Sequence, residues 1–185
     1  TKGTPIRMTL LTRSSTGVKV SVAMITYNHE RFVAQAIESV LMQQTDFDVE
    51  LVIGEDCSTD GTRAVVCDYA DRYPGRIRLL LPDRNQGTQA NFLTTLNECS
   101  GEYIALCEGD DYWLSKDKLQ LQAHALDTHP DWSLCVHEAT NLWPDGHSEA
   151  YVRSHGVPIK TVYSLPDIVQ RHFLPTASML FPSHF

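Results

Sequence analysis

The stretch VKVSVAMIT, residues 18–26, is a nearly continuous apolar and β-branched run with the length of one strand. Such a run predicts a strand that other layers cover on both faces. A helix is predicted next, because Asn28 is a good capping residue and apolar side chains then recur at spacings of three and four. One face of this helix carries Val33, Ala36, Ile37, Val40, Leu41 and Gln44. This part of the sequence therefore predicts one unit made of a strand, a turn and a helix.

The same unit recurs up to about residue 113. Further apolar strands are predicted at 49–54, 76–81 and 102–107. Helices are predicted at 62–73 and beyond residue 87, the latter with one side formed by Ala90, Leu93, Leu96 and Asn97. Alternation of this kind favours an α/β domain with a mostly parallel, Rossmann-like sheet and helices on both faces.

The alternation loosens beyond Asp111. The elements predicted there are a helix over 115–129, a strand over 132–137, an irregular segment over 141–158, a short helix opened by Ser164 and carrying Ile168, Val169 and Phe173, and a last strand over 177–181. Residues 1–17 show no periodicity and are expected to form a flexible lead-in, so that 18–185 is one domain.

Composition and charge exclude several classes of protein. The chain has 185 residues, enough for one sizeable core, and a net charge of −8 disfavours binding to nucleic acid. The longest apolar run is five residues, 103–107, which predicts no membrane span. Five cysteines without a C-x-x-C pair suit reduced thiols. We therefore expect a cytoplasmic protein, in solution or at the inner face of the membrane; an anchor outside this chain stays open.

Polar clusters follow three of the predicted strands. They are Thr26-Tyr27-Asn28, Glu55-Asp56 and the sequence EGDD at 108–111. Ligands of open parallel sheets bind outside the carboxyl ends of the strands, so the three clusters should meet at one edge. The alternative is that turns are simply polar.

The EGDDYW sequence suggests a cation. Asp110 and Asp111 are adjacent carboxylates at the end of an apolar strand, where their repulsion is costly unless a positive charge is bound. Mg²⁺ or Mn²⁺ is commonly held by one or two carboxylates together with substrate phosphates, which predicts a phosphorylated substrate. The alternative for both residues is a turn or a helix cap.

The other two clusters suit a nucleobase. Asp56 could accept a hydrogen bond from a ring N–H, and Tyr27 could stack on the ring. Tyr27 could equally be a packing aromatic and Glu55 a solvent-facing carboxylate, whereas Asp60 is interpreted as a turn and capping residue. Backbone N–H groups near Asn85, Gly87 and Asn91 could approach a ligand, although turn formation explains these residues almost as well.

Three common motifs are missing from the sequence. It has no G-x-x-x-x-G-K-[ST], G-x-G-x-x-G or G-x-S-x-G, which removes the main support for a P-loop ATPase, a dinucleotide dehydrogenase or a serine hydrolase. A glycoside hydrolase fits poorly, because its two carboxylates stand about 5–9.5 Å apart rather than at consecutive positions. A sugar nucleotidyltransferase lacks its glycine-rich basic loop here.

Four motifs in order resemble the family 2 glycosyltransferases of GT-A fold. They are VSVAMITYNHE, VIGEDCSTDGT, NQGTQANF and GEYIALCEGDDYW, and the resemblance covers about residues 18–138. It implies inverting transfer of a sugar from a nucleoside diphosphate donor, with UDP as the first choice, to a glycan or other hydroxyl acceptor. It also implies a divalent cation, Mn²⁺ or Mg²⁺, and a role in the synthesis of polysaccharide or other cell-surface glycans.

The resemblance also assigns roles to single residues. By position, Asp56 matches the base-recognising aspartate, Tyr27 flanks the base, Asp110 lies nearer the ribose and Asp111 coordinates the cation. Nucleotide-binding roles are further implied for Thr26, Asn28, Glu55 and Asn91. Three departures from the family pattern are Glu55 in place of an aspartate, Cys57 in place of a glycine and Ala90 in place of an arginine.

The resemblance divides the domain into a nucleotide-binding half, 18–113, and the start of an acceptor half, 114–185. The general base is expected beyond Phe185, with Asp167 and Glu138 as the nearest carboxylates within the chain. The alternative function is a catalytically silent module of the same fold that binds a nucleotide or a partner. The sequence does not indicate an oligomeric state.

Overall fold

The computed structural model describes residues 17–143, 145–151, 162–164, 166–168 and 174–184. Its strands are β1 (Val18–Thr26), β2 (Asp48–Glu55), β3 (Ile77–Leu80), β4 (Tyr103–Leu106), β5 (Thr140–Leu142), β6 (Ser148–Ala150) and β7 (Leu180–Pro182). Its helices are α1 (Val33–Leu41), α2 (Thr62–Arg72), α3 (Thr88–Glu98) and α4 (Lys118–Thr128), with a 3₁₀ turn at Thr176–Ser178.

Five of the strands form one sheet in the order β3-β2-β1-β4-β7. The first four are parallel, and β7 pairs antiparallel with β4. Strands β5 and β6 form a separate hairpin within the segment predicted to be irregular. The mostly parallel α/β fold is confirmed, and β1 has the predicted bounds.

Helices cover both faces of the sheet, as predicted. Val20, Val22 and Met24 of β1 face α1, α2 and α4 in the larger core, whereas Ala23 faces α3 in a smaller one. The alternation follows from the period of two along a strand. Because both faces are buried, β1 reads in the sequence as a continuous apolar run.

The predicted inner side of α3 is right for Leu96, which packs against the smaller core, and wrong for Leu93 and Asn97, which are exposed. Leu93 is 60% exposed, while Asn91 and Thr95 are buried against the sheet. Asn91 Nδ2 donates to the carbonyl oxygen of Gly54 at 2.8 Å, and a Cβ at Gly54 would lie 2.1 Å from Thr95 Oγ1. Glycine at 54 therefore lets the helix approach the strand closely through its polar residues, which an apolar pattern cannot reveal.

The predicted capping role of Asn28 is also wrong. Helix α1 begins at Val33 with Phe32 at the cap position, and Asn28 lies outside it with a φ of 57°. The predicted strand at 132–137 is reduced to a single bridge between Cys135 and Leu180. The predicted last strand is displaced, since 177 and 178 lie in the 3₁₀ turn and pairing begins at 180.

Some predictions fall on other parts of the chain. Residues 1–16 of the predicted lead-in, residues 152–158 of the irregular segment, and Val169 and Phe173 of the short helix lie outside the described residues. Within the described part, no helix has the length and apolar character needed to cross a bilayer.

Candidate functional site

The carboxyl edge of the sheet gathers the three polar clusters. The chain leaves β1 toward β2 on one side and later returns to β4 on the other, so a switch of direction lies beside β1. Asp56 N donates to Thr26 O at 3.0 Å, and Gly109 N donates to Ile25 O at 3.0 Å. These hydrogen bonds fix the ends of β2 and β4 on either side of β1.

Asn28 joins the loop after β1 to the loop after β2. Its backbone N–H donates to Ser58 Oγ at 2.9 Å, and its Oδ1 accepts from Thr59 N at 2.8 Å. Asparagine tolerates the left-handed backbone that this arrangement requires better than most residues do. The sequence predicted a helix-capping and a nucleotide-binding role for Asn28, whereas its observed hydrogen bonds join the loop after β1 to the loop after β2.

Asp60 has the structural role predicted for it. Its carboxylate accepts from Thr62 N at 2.9 Å and from Thr62 Oγ1 at 2.6 Å at the start of α2, and from Glu30 N at 3.2 Å. Desolvation alone would raise the pKa of Asp60, but these hydrogen bonds outweigh it and lower the pKa. In return, Glu30 Oε2 accepts from Gly61 N at 3.0 Å, which ties the same two loops together again.

Asp56 is buried and already has protein partners. Its two carboxylate oxygens accept from Gln86 N at 2.7 Å and Gly87 N at 2.9 Å, and its carbonyl oxygen accepts from Asn85 Nδ2 at 3.0 Å. The backbone N–H groups that the sequence offered to a ligand thus hold Asp56 in place. A carboxylate oxygen can accept a second hydrogen bond, so the group keeps capacity for a ligand N–H.

Glu55 is fully buried, so its interpretation as a solvent-facing carboxylate is wrong. It forms an ion pair with Arg63 Nε and accepts from Ser58 N at 2.6 Å. The hydrogen bond to Glu55 raises the pKa of Arg63, and Arg63 Nη2 also donates to Pro82 O at 3.0 Å. Glu55 therefore supports the loops from behind.

Cys57 stands between these two acidic residues and Ser58 with a φ of 58°. A left-handed conformation of this kind favours glycine, the residue that the family pattern has at this position. The Cys57 side chain lies outward against Asp83 O, with Sγ at 3.7 Å.

Tyr27 and Thr26 occupy the end of β1 in different ways. Tyr27 is 42% exposed at the edge, whereas Thr26 is buried and its Oγ1 has no hydrogen-bond partner among the described residues. Gly109 lies against Thr26, because a Cβ at 109 would be 2.5 Å from Thr26 Oγ1 and 3.0 Å from His29 Nδ1. The acidic turn after β4 therefore packs directly on the end of β1.

The surroundings of Glu108 and Asp111 disfavour the charged form of both carboxyl groups. Desolvation raises the pKa of Glu108, and the charges of Asp111 and Asp110 raise it further. Desolvation and then Asp110 raise the pKa of Asp111 in the same way. His29 acts in the opposite direction on both, and its Nε2 lies 3.7 Å from Asp110 Oδ2. Sequence reasoning gave His29 no role, although the residue lies within the motif VSVAMITYNHE.

The acidic turn could hold a cation only with help from other ligands. Among the described residues, no group of three or more His, Cys, Asp and Glu side chains is arranged to bind a metal ion. Carboxylate oxygens such as those of Asp110 and Asp111 are nevertheless the ligands that Mg²⁺ and Mn²⁺ prefer. The residues present fit an ion that takes its remaining ligands from a bound phosphate and from water.

The same fold occurs in solved structures of other proteins. TarS of S. aureus, residues 1–349 in complex with UDP, has a TM-score of 0.67 and 21% identity, over 90% of this chain and 47% of TarS. The mannosyltransferase PcManGT of Pyrobaculum calidifontis, in complex with GDP-Man and Mn²⁺, has a TM-score of 0.57 and 23% identity, over 71% of this chain and 39% of PcManGT. The fold is therefore of the GT-A type.

The chain belongs to glycosyl transferase family 2, because the model of that family matches residues 21–166. Protein Rv1520 of Mycobacterium tuberculosis is 37% identical over 164 residues, 88% of this chain and 46% of that protein. WfgD of Escherichia coli, named as a UDP-Glc:α-D-GlcNAc-diphosphoundecaprenol β-1,3-glucosyltransferase, is 37% identical over 103 residues, 56% of this chain and 39% of WfgD. The chain spans about half the length of the curated relatives that it matches, or less.

Proposed function

We propose that this chain carries the donor-binding part of an enzyme that transfers a sugar from a nucleoside diphosphate sugar to an acceptor hydroxyl with inversion. The observation that carries the proposal is the acidic turn at 108–111, whose carboxylates repel one another beside Tyr27 and Asp56 at one sheet edge. A divalent cation that binds together with a diphosphate supplies the positive charge that this turn lacks. Membership of the family supports the same reaction class.

Each site residue has a proposed role in donor binding. Tyr27 stacks on the base, Asp56 accepts its ring N–H, Asp110 binds the ribose and Asp111 binds Mn²⁺ or Mg²⁺. The cation, when bound, stabilises the negative charge that develops on the leaving diphosphate.

Four further residues support these groups. Thr26 and Asn28 shape the end of β1, while Glu55 and Asn91 act from behind the site through the contacts described above. Direct contact of these four with the nucleotide stays a prediction. In this division, 18–113 form the nucleotide-binding half and 114–185 begin the acceptor half.

We propose a UDP-sugar as donor and a glycan or other cell-surface hydroxyl as acceptor. TarS is solved with UDP, and the name of WfgD states a UDP-Glc donor, whereas PcManGT is solved with GDP-Man and Mn²⁺. The general base is proposed to lie outside this chain. Asp167 is occupied in a helix-capping arrangement, with its Oδ2 accepting from Ser164 N at 2.9 Å and Ser164 Oγ at 2.7 Å.

Thermal unfolding with a nucleotide panel tests the proposal. We expect UDP with Mn²⁺ to stabilise the protein by about 2.7 kcal/mol at a hundredfold excess over the dissociation constant. GDP and dTDP with Mn²⁺ test the choice of base. Asp111→Asn should remove the Mn²⁺ dependence, whereas Asp71→Asn, an exposed change on α2, should not. A folded protein that responds to none of the three nucleotides would refute the proposal.

Sugar transfer separates the enzyme from the silent module. Nucleotide sugars with the base that responds in the panel are incubated with the full-length protein, and release of the sugar is measured with and without Mn²⁺. Turnover supports the enzyme, while tight binding without any turnover favours a module that holds the nucleotide.

A further inference from the structure

His29 lies in the loop after β1 and next to the acidic turn after β4. Its backbone carbonyl accepts from Phe32 N and Val33 N, both at 2.9 Å, so its position in the turn before α1 is fixed. The ring contacts Gly109 on one side and faces Asp110 on the other. About a quarter of the side chain, 26%, is exposed. One edge of the ring is therefore buried and the other reaches the site.

The two ring nitrogens have different surroundings. Nδ1 is buried and has no hydrogen-bond partner among the described residues, and Thr26 Oγ1 beside it is in the same condition. A buried N–H without an acceptor is costly, whereas a proton on Nε2 stays within reach of solvent and of the site. The neutral ring thus favours the tautomer with its proton on Nε2.

Among the residues that the structure describes, no acceptor lies at hydrogen-bond distance from the Nε2–H group. Asp110 Oδ2 lies 3.7 Å from Nε2, which is too long for a hydrogen bond. The donor atom Nε2 lies beyond the end of β1 and next to the acidic turn that follows β4. This is where the proposed diphosphate would meet the cation. An anionic phosphate oxygen is a strong acceptor for such a donor.

The geometry points to His29 as a substrate-binding residue that donates from Nε2 to a phosphate oxygen of the nucleoside diphosphate. This inference rests on the proposed function and deepens it. His29 would thereby distinguish a nucleoside diphosphate from a nucleoside, while Tyr27 and Asp56 recognise the base.

Two isosteric substitutions test the role of each ring nitrogen. Asparagine places an amide nitrogen near the position of Nδ1, and glutamine places one near the position of Nε2. Dissociation constants for UDP and for uridine are measured by calorimetry in Mn²⁺ with wild type, His29→Asn and His29→Gln. If the panel selects GDP or dTDP, that nucleotide and its nucleoside replace UDP and uridine.

We expect His29→Asn to weaken UDP binding tenfold or more and His29→Gln to restore most of it, with uridine binding unchanged in all three proteins. Equal UDP affinities would overturn this inference while leaving the donor site intact. A parallel loss of uridine binding in His29→Asn would show a purely structural role and would also overturn it. A wild type that binds neither ligand refutes the proposed function itself.

A measurement on the wild type does not depend on the folding of any variant. Long-range proton–nitrogen correlation spectra report which nitrogen of a histidine ring carries the proton. We expect the Nε2–H tautomer for His29, with its signal shifted by UDP and Mn²⁺ but not by uridine. An Nδ1–H tautomer, or an equal response to both ligands, would overturn the inference.

Discussion

Glu50 at the amino edge of the sheet and the acidic turn at the carboxyl edge differ in how the protein compensates their carboxylates. At the amino edge, Glu50 accepts from Ser21 Oγ at 2.5 Å, Ser100 N and Ser100 Oγ at 2.7 Å, and Arg78 Nη2 at 3.0 Å. Burial alone would raise the pKa of Glu50, but the hydrogen bonds and Arg78 outweigh it and lower the pKa. This carboxylate is satisfied by the protein itself.

The acidic turn at the carboxyl edge lacks such compensation, unlike Glu55 and Asp56 at the same edge, which have protein partners. Desolvation and mutual repulsion raise the pKa of Glu108 and of Asp111, and Thr26 Oγ1 and His29 Nδ1 nearby have no partner among the described residues. The difference teaches that burial of a charge does not by itself identify a site. A functional edge is the one where the protein leaves charges and polar atoms for a ligand to satisfy.

The amino edge also has a concave surface. A cavity of about 560 Å³ opens at the amino edge and is lined by Val18, Glu50, Arg76, Arg78 and Ser100 among others. The acidic group in it is already paired, so the cavity offers a ligand little uncompensated charge. Electrostatics and hydrogen bonding therefore separate the edges where concavity does not.

The largest expected effect is on the satisfied edge. Glu50→Ala should lower the free energy of unfolding by about 3 kcal/mol, because it removes the acceptor that Ser21 Oγ, Ser100 and Arg78 share at this edge. Chemical denaturation at pH 7 measures this change. Glu98→Ala removes the exposed partner of the same Arg78 and should cost less than about 1 kcal/mol. Equal losses in the two variants would break the comparison.

A second effect comes from a buried lysine on α4. Burial lowers the pKa of Lys118 from 10.5 to about 7, while its Nζ lies 4.0 Å from the Trp113 ring centroid and 2.7 Å from Gln122 Oε1. Below pH 7 the folded protein therefore buries a charged amine. As the pH rises from about 7 to about 10.5, the unfolded state binds more protons, so Lys118 makes the stability of the wild type rise.

Lys118→Met should remove this rise. Relative to the wild type, the variant should therefore lose up to about 1.4 kcal/mol of unfolding free energy for each pH unit between about pH 7 and about pH 10.5. Denaturation curves at a series of pH values measure it, with the exposed Lys116→Met as control. A difference that stays constant with pH would show that Lys118 titrates normally in the fold.

The smallest effect on stability is expected at the acidic turn. Asp111→Asn should raise the free energy of unfolding at pH 7 by less than about 1 kcal/mol, because it removes repulsion from a partly exposed group. The raised pKa means that wild-type Asp111 destabilises the fold above that pKa and ceases to do so as the pH falls through it. The gain should therefore vanish in acid, and a loss at pH 7 would contradict the contrast with Glu50.

The sequence predicted the parts of the fold that follow from burial on both faces. Strand β1 was predictable because a doubly covered strand is continuously apolar, and the mostly parallel sheet because strands and helices alternate. The polar part of the inner face of α3 was not, since Asn91 and Thr95 are satisfied by backbone carbonyls of Gly54 and Asn91. Hydrophobic periodicity contains no information about such polar packing.

The candidate site was predictable only in its position. Polar residues directly after apolar strands placed Tyr27, Asp56 and Asp111 at one edge of the sheet, through a general property of parallel sheets. The partners of these residues were not predictable. Asp56 meets the amides of Gln86 and Gly87, and His29 meets Gly109, through the relative arrangement of loops that lie far apart in the sequence.

Electron paramagnetic resonance of Mn²⁺ tests most directly whether the carboxyl edge binds a cation together with a nucleotide. The free Mn²⁺ signal is recorded with UDP alone and after addition of wild type, Glu50→Gln or Asp111→Asn. We predict that wild type and Glu50→Gln reduce the signal below that of UDP alone, while Asp111→Asn does not. No reduction by the folded wild type, or the same reduction by Asp111→Asn, would contradict the account.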